Sequence, residues 1–404
     1  MAVGPSELPV FNVIEGVRLG VACAGIKKPN RKDVVVIECP EDASIAGVFT
    51  KNAFCAAPVI VAKEHIAQTS PRYLLINTGN ANAGTGEQGY QAAQQCCQAL
   101  AQATGTQAEE ILPFSTGVIG EPLPVDKIKA VLDQAVANLA VDNWVGAAEG
   151  ILTTDTRPKG AVAQVEINGQ TVSISGISKG SGMIKPNMAT MLGFIATDAT
   201  IEKELLQEML AAGSNRSFNR ITVDSDTSTN DACMLIATGK SAAISRDDAA
   251  AVTAFQQALD DVMRVLAHEI VKDGEGATKF VEISVEQAAS ADDALEIAFT
   301  VAHSPLVKTA LFASDANWGR ILAAVGRANI AELDVSKINI WLGDVQIVTN
   351  GGRNPEYTEE AGAAVMAQEN IRILITLSAG DESETVWTTD LSHDYVTINA
   401  DYRS

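Results

Sequence analysis

The stretch richest in potential chemistry is residues 176–194, GISKGSGMIKPNMATMLGF. It is glycine-rich, then holds Pro186, then sets the small Ala189 directly before Thr190. Glycines and a proline permit backbone paths that ordinary loops do not take. On such a path the Thr190 hydroxyl can lie against the carbonyl of Ala189. Its attack moves the acyl group from nitrogen to oxygen, and hydrolysis of the ester cuts the chain. The reaction needs a nucleophile on the β-carbon, so only Ser, Thr or Cys can perform it. A small preceding side chain keeps the carbonyl open. The product carries a free amine beside the threonine hydroxyl. An α-amino group titrates near about 7.7–8.0, so a neutral fraction at pH 7 can act as general base for that hydroxyl. Taken alone, the same residues also suit a plain loop between a hairpin and a strand, with Thr190 an ordinary strand start.

A second signal overlaps the first. Gly176-Ile177-Ser178-Lys179-Gly180 fits the G-x-S-x-G pattern of serine hydrolases. That nucleophile elbow needs a strand before the serine and a helix directly after it. A strand is expected here, but GSGMIKPNM cannot begin a helix at the required place. A Ser178 hydrolase therefore stands as the alternative function. A non-enzymatic alternative, a nucleotide-binding module, rests on residues 77–86, NTGNANAGTG. This run lacks the Gly-Lys-Ser/Thr ending of a phosphate loop and reads as structural or site-lining.

These residues must be carried by a folded frame, and the chain can build one. Its 404 residues suffice for a large core and suggest two or three domains. Lys plus Arg is 29 and Asp plus Glu is 50, giving 29 − 50 = −21. So acidic a surface repels nucleic acid and anionic lipid, and neither is expected as a partner. The start, MAVGPSELPVF, does not read as a signal peptide, and no apolar run approaches the roughly 20 residues of a membrane span. Cys23, Cys39, Cys55, Cys96, Cys97 and Cys233 form no C-x-x-C pair, so reduced thiols in a cytoplasmic protein are expected. The histidines, His65, His268, His303 and His393, are scattered, and no metal site is expected.

Strand patterns and helix patterns alternate along the chain. Strands are predicted over 34–38, 59–62 and 73–77, and helices over 88–103, 125–139 and 144–153. Residues 161–167 and 171–177 flank Asn168-Gly169, the strongest short hairpin signal. Beyond it come a strand over 191–196, a helix over 201–212, a strand over 234–238 and a long helix over 247–272. A strand over 280–285, helices over 306–312 and 318–327, and strands over 338–342, 346–349, 372–377 and 396–399 complete the pattern. The class is α/β or α+β, with layered sheets and helices.

With these residues in place the chain resembles the ornithine acetyltransferase family, the glutamate N-acetyltransferases. The resemblance is carried by KGSGMIKPNMATMLGF and by NTGNANAGTG, STGVIGEPLP, TTDTRPK, NRITVDSDTSTND, DGEGATK, DANWGRI and the final YVTINADYRS. Together they span nearly the whole chain. The resemblance implies a precursor that cuts itself at Ala189/Thr190 into an α chain, residues 1–189, and a β chain, residues 190–404. The two would stay together as α2β2, with an α/β C-terminal part from about residue 290. It implies an α-β-β-α sandwich resembling the N-terminal-nucleophile hydrolases. It implies ping-pong transfer of acetyl from N2-acetylornithine to glutamate, with acetyl-CoA as a further donor in some members and no bound cofactor.

The same resemblance assigns roles. Thr190 is the nucleophile, and Thr116 and Gly117 supply the oxyanion hole by hydroxyl and backbone N–H. Thr153, beside Thr154, together with Lys179, Thr190, Glu275, Asn399 and Ser404, is implied to contact substrate. Ornithine ends in a cation and glutamate in an anion, so one rigid counter-charge cannot suit both. Lys179 is expected to hold the part common to the two amino acids, and Glu275 to lie toward the side chain.

Overall fold

The computed structural model describes residues 2–5, 7–185 and 191–401. They fall in two compact units, the larger from residues 6–219 and 226–270, the smaller from 1–5, 220–225 and 271–404.

In chain order the larger unit holds strands β1 (Arg18–Ala22), β2 (Val34–Glu38), β3 (Ser44–Phe49), β4 (Tyr73–Asn80), β5 (Ile111–Val118), β6 (Lys159–Ile167), β7 (Gln170–Lys179), β8 (Leu192–Thr197), β9 (Thr200–Ile201), β10 (Ala232–Ala237) and β11 (Ala243–Ile244). One sheet has the order β1-β2-β4-β5 and another the order β3-β10-β8-β7-β6, while β9 and β11 form a short ladder of their own. The sequence of β2, VVVIE, shows why these sheets stack. Val35 and Ile37 enter the core between the two sheets, and Val34 and Val36 enter a second core beneath helices. A strand covered on both faces reads as an unbroken apolar run. Phe114 of β5 meets Phe194 of β8 edge-on across the gap, ring centroids 5.2 Å apart.

Helix Gly86–Thr104 covers the outer face of the first sheet, burying Ala93, Cys97 and Leu100 against Val34, Val36 and Leu75. Two helices cover the outer face of the second. From Ala249–Lys272, Val262 and Leu266 approach Gly176 of β7. From Lys203–Arg216, the Gln207 amide bonds both to the N–H and to the carbonyl of Gly47 in β3, each at 3.1 Å. The layers run helix, sheet, sheet, helix, which is the expected α-β-β-α order. Asn168 and Gly169 turn β6 into β7 with φ of 53° and 76°. Both values lie in the left-handed region that a two-residue hairpin turn requires.

The smaller unit holds β12 (Phe280–Ala288), β13 (Asn339–Leu342), β14 (Val345–Thr349), β15 (Gly352–Arg353), β16 (Asn370–Thr376) and β17 (Glu382–Thr389), in the order β15-β14-β13-β16-β12-β17. β12 and β16 run parallel, and β17 returns antiparallel along β12. Helices Ala291–Ala302, Pro305–Phe312, Trp318–Gly326 and Glu359–Met366 begin behind Ser290, Ser304, Asn317 and Thr358. Each of these caps accepts a first-turn N–H through its side chain. Such a cap contributes about 1 kcal/mol.

Three predicted elements differ in the structure. Residues 59–62 lie in helix Ala57–Gln68, which Pro58 opens. A short apolar run suits a buried helix as well as a strand, and proline fits a first helical turn. The single helix predicted over 125–139 is two pieces, Val125–Lys129 and Leu132–Ala137, which set Ile128, Leu132 and Ala135 into one core. Residues 396–399, predicted as a strand, lie in helix His393–Ala400. There the side chains of Thr397 and Asn399 donate to carbonyls four residues earlier, which closes helical turns.

Candidate active site

The site is built at the ends of strands whose inner faces form the core between the sheets. Side chains alternate along a strand. Leu112 and Phe114 of β5 point into that core, and Thr116 continues the same face. Ile177 of β7 points into it too, and Lys179, the last residue of β7, continues that face. The two polar residues meet where the apolar layer stops. Lys179 Nζ donates to Thr116 Oγ1 at 3.2 Å. Both side chains are buried. An ammonium group has donors only, so the threonine oxygen accepts and its own proton is left to point elsewhere.

Gly117 follows Thr116 with φ of +137°. A β-carbon built there would lie 2.3 Å from the Gly79 carbonyl carbon and 2.5 Å from Asn80 N. Only glycine allows β5 to come this close to β4, and the ladder between them carries a bulge at Asn80. Asparagines brace this end of β5. Asn230 Nδ2 donates to Ser115 O at 2.9 Å and to Ala81 O at 2.6 Å. Ser115 Oγ donates to Asn77 Oδ1 at 2.6 Å, and Asn77 Nδ2 donates to Asn80 O at 2.9 Å. Asn80 reaches Glu121 O and Pro122 O and accepts from Asn82 N, while Asn82 bonds Gly89 O and Thr85 Oγ1. The asparagines of NTGNAN thus spend their side chains on the backbone and hydroxyls around them. That fits the structural reading of this run.

Behind Lys179 lies a buried ion pair. Lys159 Nζ donates to Asp155 Oδ1 at 2.7 Å, and both side chains are fully buried. Asp155 Oδ1 also accepts Gly180 N–H at 2.7 Å, and Oδ2 accepts Thr153 N–H at 3.0 Å. Burial pushes the Asp155 carboxyl up, but the charges of Lys159 and Lys179 and these hydrogen bonds outweigh it and hold the group well below the usual carboxylate range. Thr153 is half-buried, and its carbonyl accepts from Arg31 at 3.1 Å. Asp231, just before β10, is the opposite case. Burial pushes its carboxyl well above the usual range, with Ser228 and Lys179 pulling against the shift, and its Oδ2 has no hydrogen-bond partner among the described residues.

Ser178 is set apart from this cluster. It alternates with Lys179, so it faces the outer helix layer, where Oγ donates to Leu266 O at 3.4 Å. It is fully buried, and β7 runs through it without turning into a helix. The elbow that a serine hydrolase needs is not built. Four of the thiols are poor nucleophiles because they are buried. All six are free, and burial raises those of Cys39, Cys96, Cys97 and Cys233, that of Cys96 to about 12.

In the smaller unit the structure brings Glu275 and Asn399 together. Asn399 Nδ2 donates to Glu275 Oε2 at 2.7 Å. Gly276, with φ of +72°, packs so closely on the last helix that a β-carbon would lie 2.5 Å from Ser392 Oγ and 2.7 Å from Tyr395 N. Ser392 Oγ donates to Gly276 O at 2.7 Å, and Tyr395 donates to Asp224 Oδ2 at 3.2 Å. Thr116, Gly117, Thr153 and Lys179 thus form one group in the larger unit, and Glu275 and Asn399 another in the smaller. Ala189, Thr190 and Ser404 lie outside the described residues. Sequence reasoning missed Asp155 and Asn230 as parts of the site. Both stand inside quoted motifs, TTDTRPK and TSTND, and only the contacts reveal what they hold.

The model of the ArgJ family matches residues 18–404. The chain is 58% identical over 406 residues to the arginine biosynthesis bifunctional protein ArgJ of Pseudomonas fluorescens, with all of both chains covered. It is 55% identical over 409 residues to the protein of the same description from Methylococcus capsulatus, again over all of both chains. Among solved structures it is similar to the ornithine acetyltransferase of Mycobacterium tuberculosis complexed with ornithine. That match has 30% identity and a TM-score of 0.40, covering 45% of this chain and 98% of the other.

Proposed function

The chain belongs to the ArgJ family and is an enzyme of arginine biosynthesis, and on that premise we propose that it moves an acetyl group from N2-acetylornithine to glutamate through Thr190. Cleavage of the Ala189–Thr190 bond frees the threonine amine. The amine takes the proton of its own hydroxyl as Oγ attacks the acetyl carbon of acetylornithine. The carbon–nitrogen bond then breaks, the ornithine nitrogen receives that proton, and acetyl-threonine remains. Glutamate nitrogen attacks the ester in the second half, and the proton it loses returns to Thr190 Oγ. Each half passes through a tetrahedral oxyanion. The Thr116 hydroxyl and the Gly117 N–H are assigned to that oxygen. Preorganised donors act there because charge appears only in the transition state.

The observation that carries this reading is the Lys179–Thr116 bond. It makes the threonine oxygen an acceptor from a cation, so its proton is both polarised and free for the oxyanion. Glu275, with Asn399 on one oxygen, is assigned to the ornithine end of the substrate. The relatives' description as bifunctional supports a second activity, which we assign to acetylation of glutamate by acetyl-CoA.

The sheet order supports a cut chain that stays together. Residues 1–189 supply β3, β6 and β7 of the second sheet, and residues 190–404 supply β8 and β10. The order β3-β10-β8-β7-β6 interleaves them. Strand ladders β7–β8 and β10–β3 would hold the pieces after the peptide bond is gone. The test is a denaturing gel with N-terminal sequencing, beside a native sizing run. Dividing 42.4 kDa by length, 189/404 and 215/404, gives fragments of roughly 20 and 23 kDa, the larger beginning Thr-Met-Leu-Gly. Thr190→Ala should give one uncut chain without transfer activity. An uncut chain with full activity would overturn the assignment.

A further inference from the structure

Asp155 lies outside the residues assigned above, yet it touches the segments that carry two of them. Its carboxylate accepts from three donors: Thr153 N–H, Gly180 N–H and Lys159 Nζ. The Gly180 amide is joined directly to the carbonyl of Lys179, so fixing it fixes the peptide plane from which the Lys179 side chain leaves β7. Thr153 stands on the segment that leads from helix Trp144–Gly150 into β6, whose ladder with β7 starts at Lys159 and Ser178. The Asp155 side chain carries the hold between the two segments past that end of the ladder, to Thr153 and Gly180. A buried ion pair is a weak way to gain stability, since well-packed apolar residues often serve as well. The placement calls for another reason.

We propose that Asp155 is a positioning residue for acetyl transfer, clamping Thr153 and Lys179 in one geometry so that Lys179 meets Thr116. This rests on the roles assigned to Thr116, Thr153 and Lys179 above. The Asp155 side chain is fully buried beside Lys159, so it is assigned no contact with substrate. Its effect on catalysis passes through the direction of the Lys179 side chain. Misplacement of such a group by about 1 Å costs on the order of 100-fold in rate.

The test is a mutant cycle. Asp155→Asn alone would strand the buried Lys159, so it is paired with Lys159→Met, which removes both charges together. This double variant, Lys179→Met and the triple combination are purified, and kcat, KM and melting temperature are measured for each. The double variant should fold and cut itself, lose about 10- to 100-fold in kcat and keep KM within a few-fold. In the Lys179→Met background the same pair of changes should cost almost nothing further, because the residue through which Asp155 acts is gone. Full loss in both backgrounds would show a merely structural role and overturn the proposal. So would a folded double variant with wild-type kcat. If the double variant does not fold, Asp155→Glu decides. It keeps the charge but moves the oxygens by one methylene, so kcat should fall at least about tenfold, and wild-type kcat would overturn the clamp. Thr190→Ala is run beside these. Transfer surviving there defeats the nucleophile assignment and leaves the Asp155–Lys179 coupling to be read by itself.

Discussion

Replacing Thr116 by valine keeps the volume of the side chain and removes its hydroxyl. Two effects follow from the geometry. The oxyanion loses a side-chain donor and keeps the Gly117 N–H. Loss of one such donor raises the barrier by about 2.7–4 kcal/mol, or 10²–10³ in kcat. Lys179 Nζ also loses its acceptor at 3.2 Å. A buried donor left without a partner costs about 1–3 kcal/mol of stability. That is a fraction of the roughly 5–15 kcal/mol by which a domain is folded, so the protein should remain native. Steady-state transfer from acetylornithine to glutamate should show the fall in kcat with KM little changed. Mass spectrometry of the fragment that begins at Thr190 should still show one added acetyl group, formed slowly. Thr116→Ser should recover most of the rate. A raised KM with kcat unchanged would refute the reasoning and make Thr116 a binding residue.

Other outcomes follow from the same contacts. Ser178→Ala should leave cleavage and transfer within about twofold, since its one long bond to Leu266 O is worth at most about 1 kcal/mol; loss of activity would revive the serine. Glu275→Gln should raise KM for acetylornithine more than for glutamate, because it removes a charge that suits only the cationic end. Equal losses for both substrates would count against that role. Lys308 is buried, with Thr388 Oγ1 and Thr389 O as partners. Burial pushes its amine down to about 8, against the pull of Asp390 and Asp224. Between about pH 8 and 10.4 the unfolded chain binds the extra proton, so this group's contribution to stability rises with pH across that window. The stability of Lys308→Met relative to wild type in denaturant melts should therefore be highest below pH 8 and fall as the pH rises through that window. A gap that does not vary with pH would exclude the linkage.

Much of the larger unit was legible because several of its strands, β2, β8 and β10 among them, are covered on both faces. VVVIE in β2 and LGFIAT in β8 could not be exposed, and Asn168-Gly169 fixed where β6 returns as β7. Residues 59–62 and 396–399 were misread for the converse reason. Runs of only four residues, VIVA and VTIN, hold no period, and proline and side-chain bonds to the preceding turn settled them as helix. The chemistry of Ala189-Thr190 is local, since attack on a neighbouring carbonyl involves adjacent residues, and so the sequence alone could suggest it. Choosing between Ser178 and Lys179 was not local. Adjacent strand residues point to opposite faces, and only the packing decides which face meets a helix and which meets β5. Asp155 makes the same point. Its neighbours in sequence are threonine and threonine, but its partners include Gly180 and Lys159. A carboxylate's burial, and the backbone groups it holds, depend on segments brought together only when the sheets close.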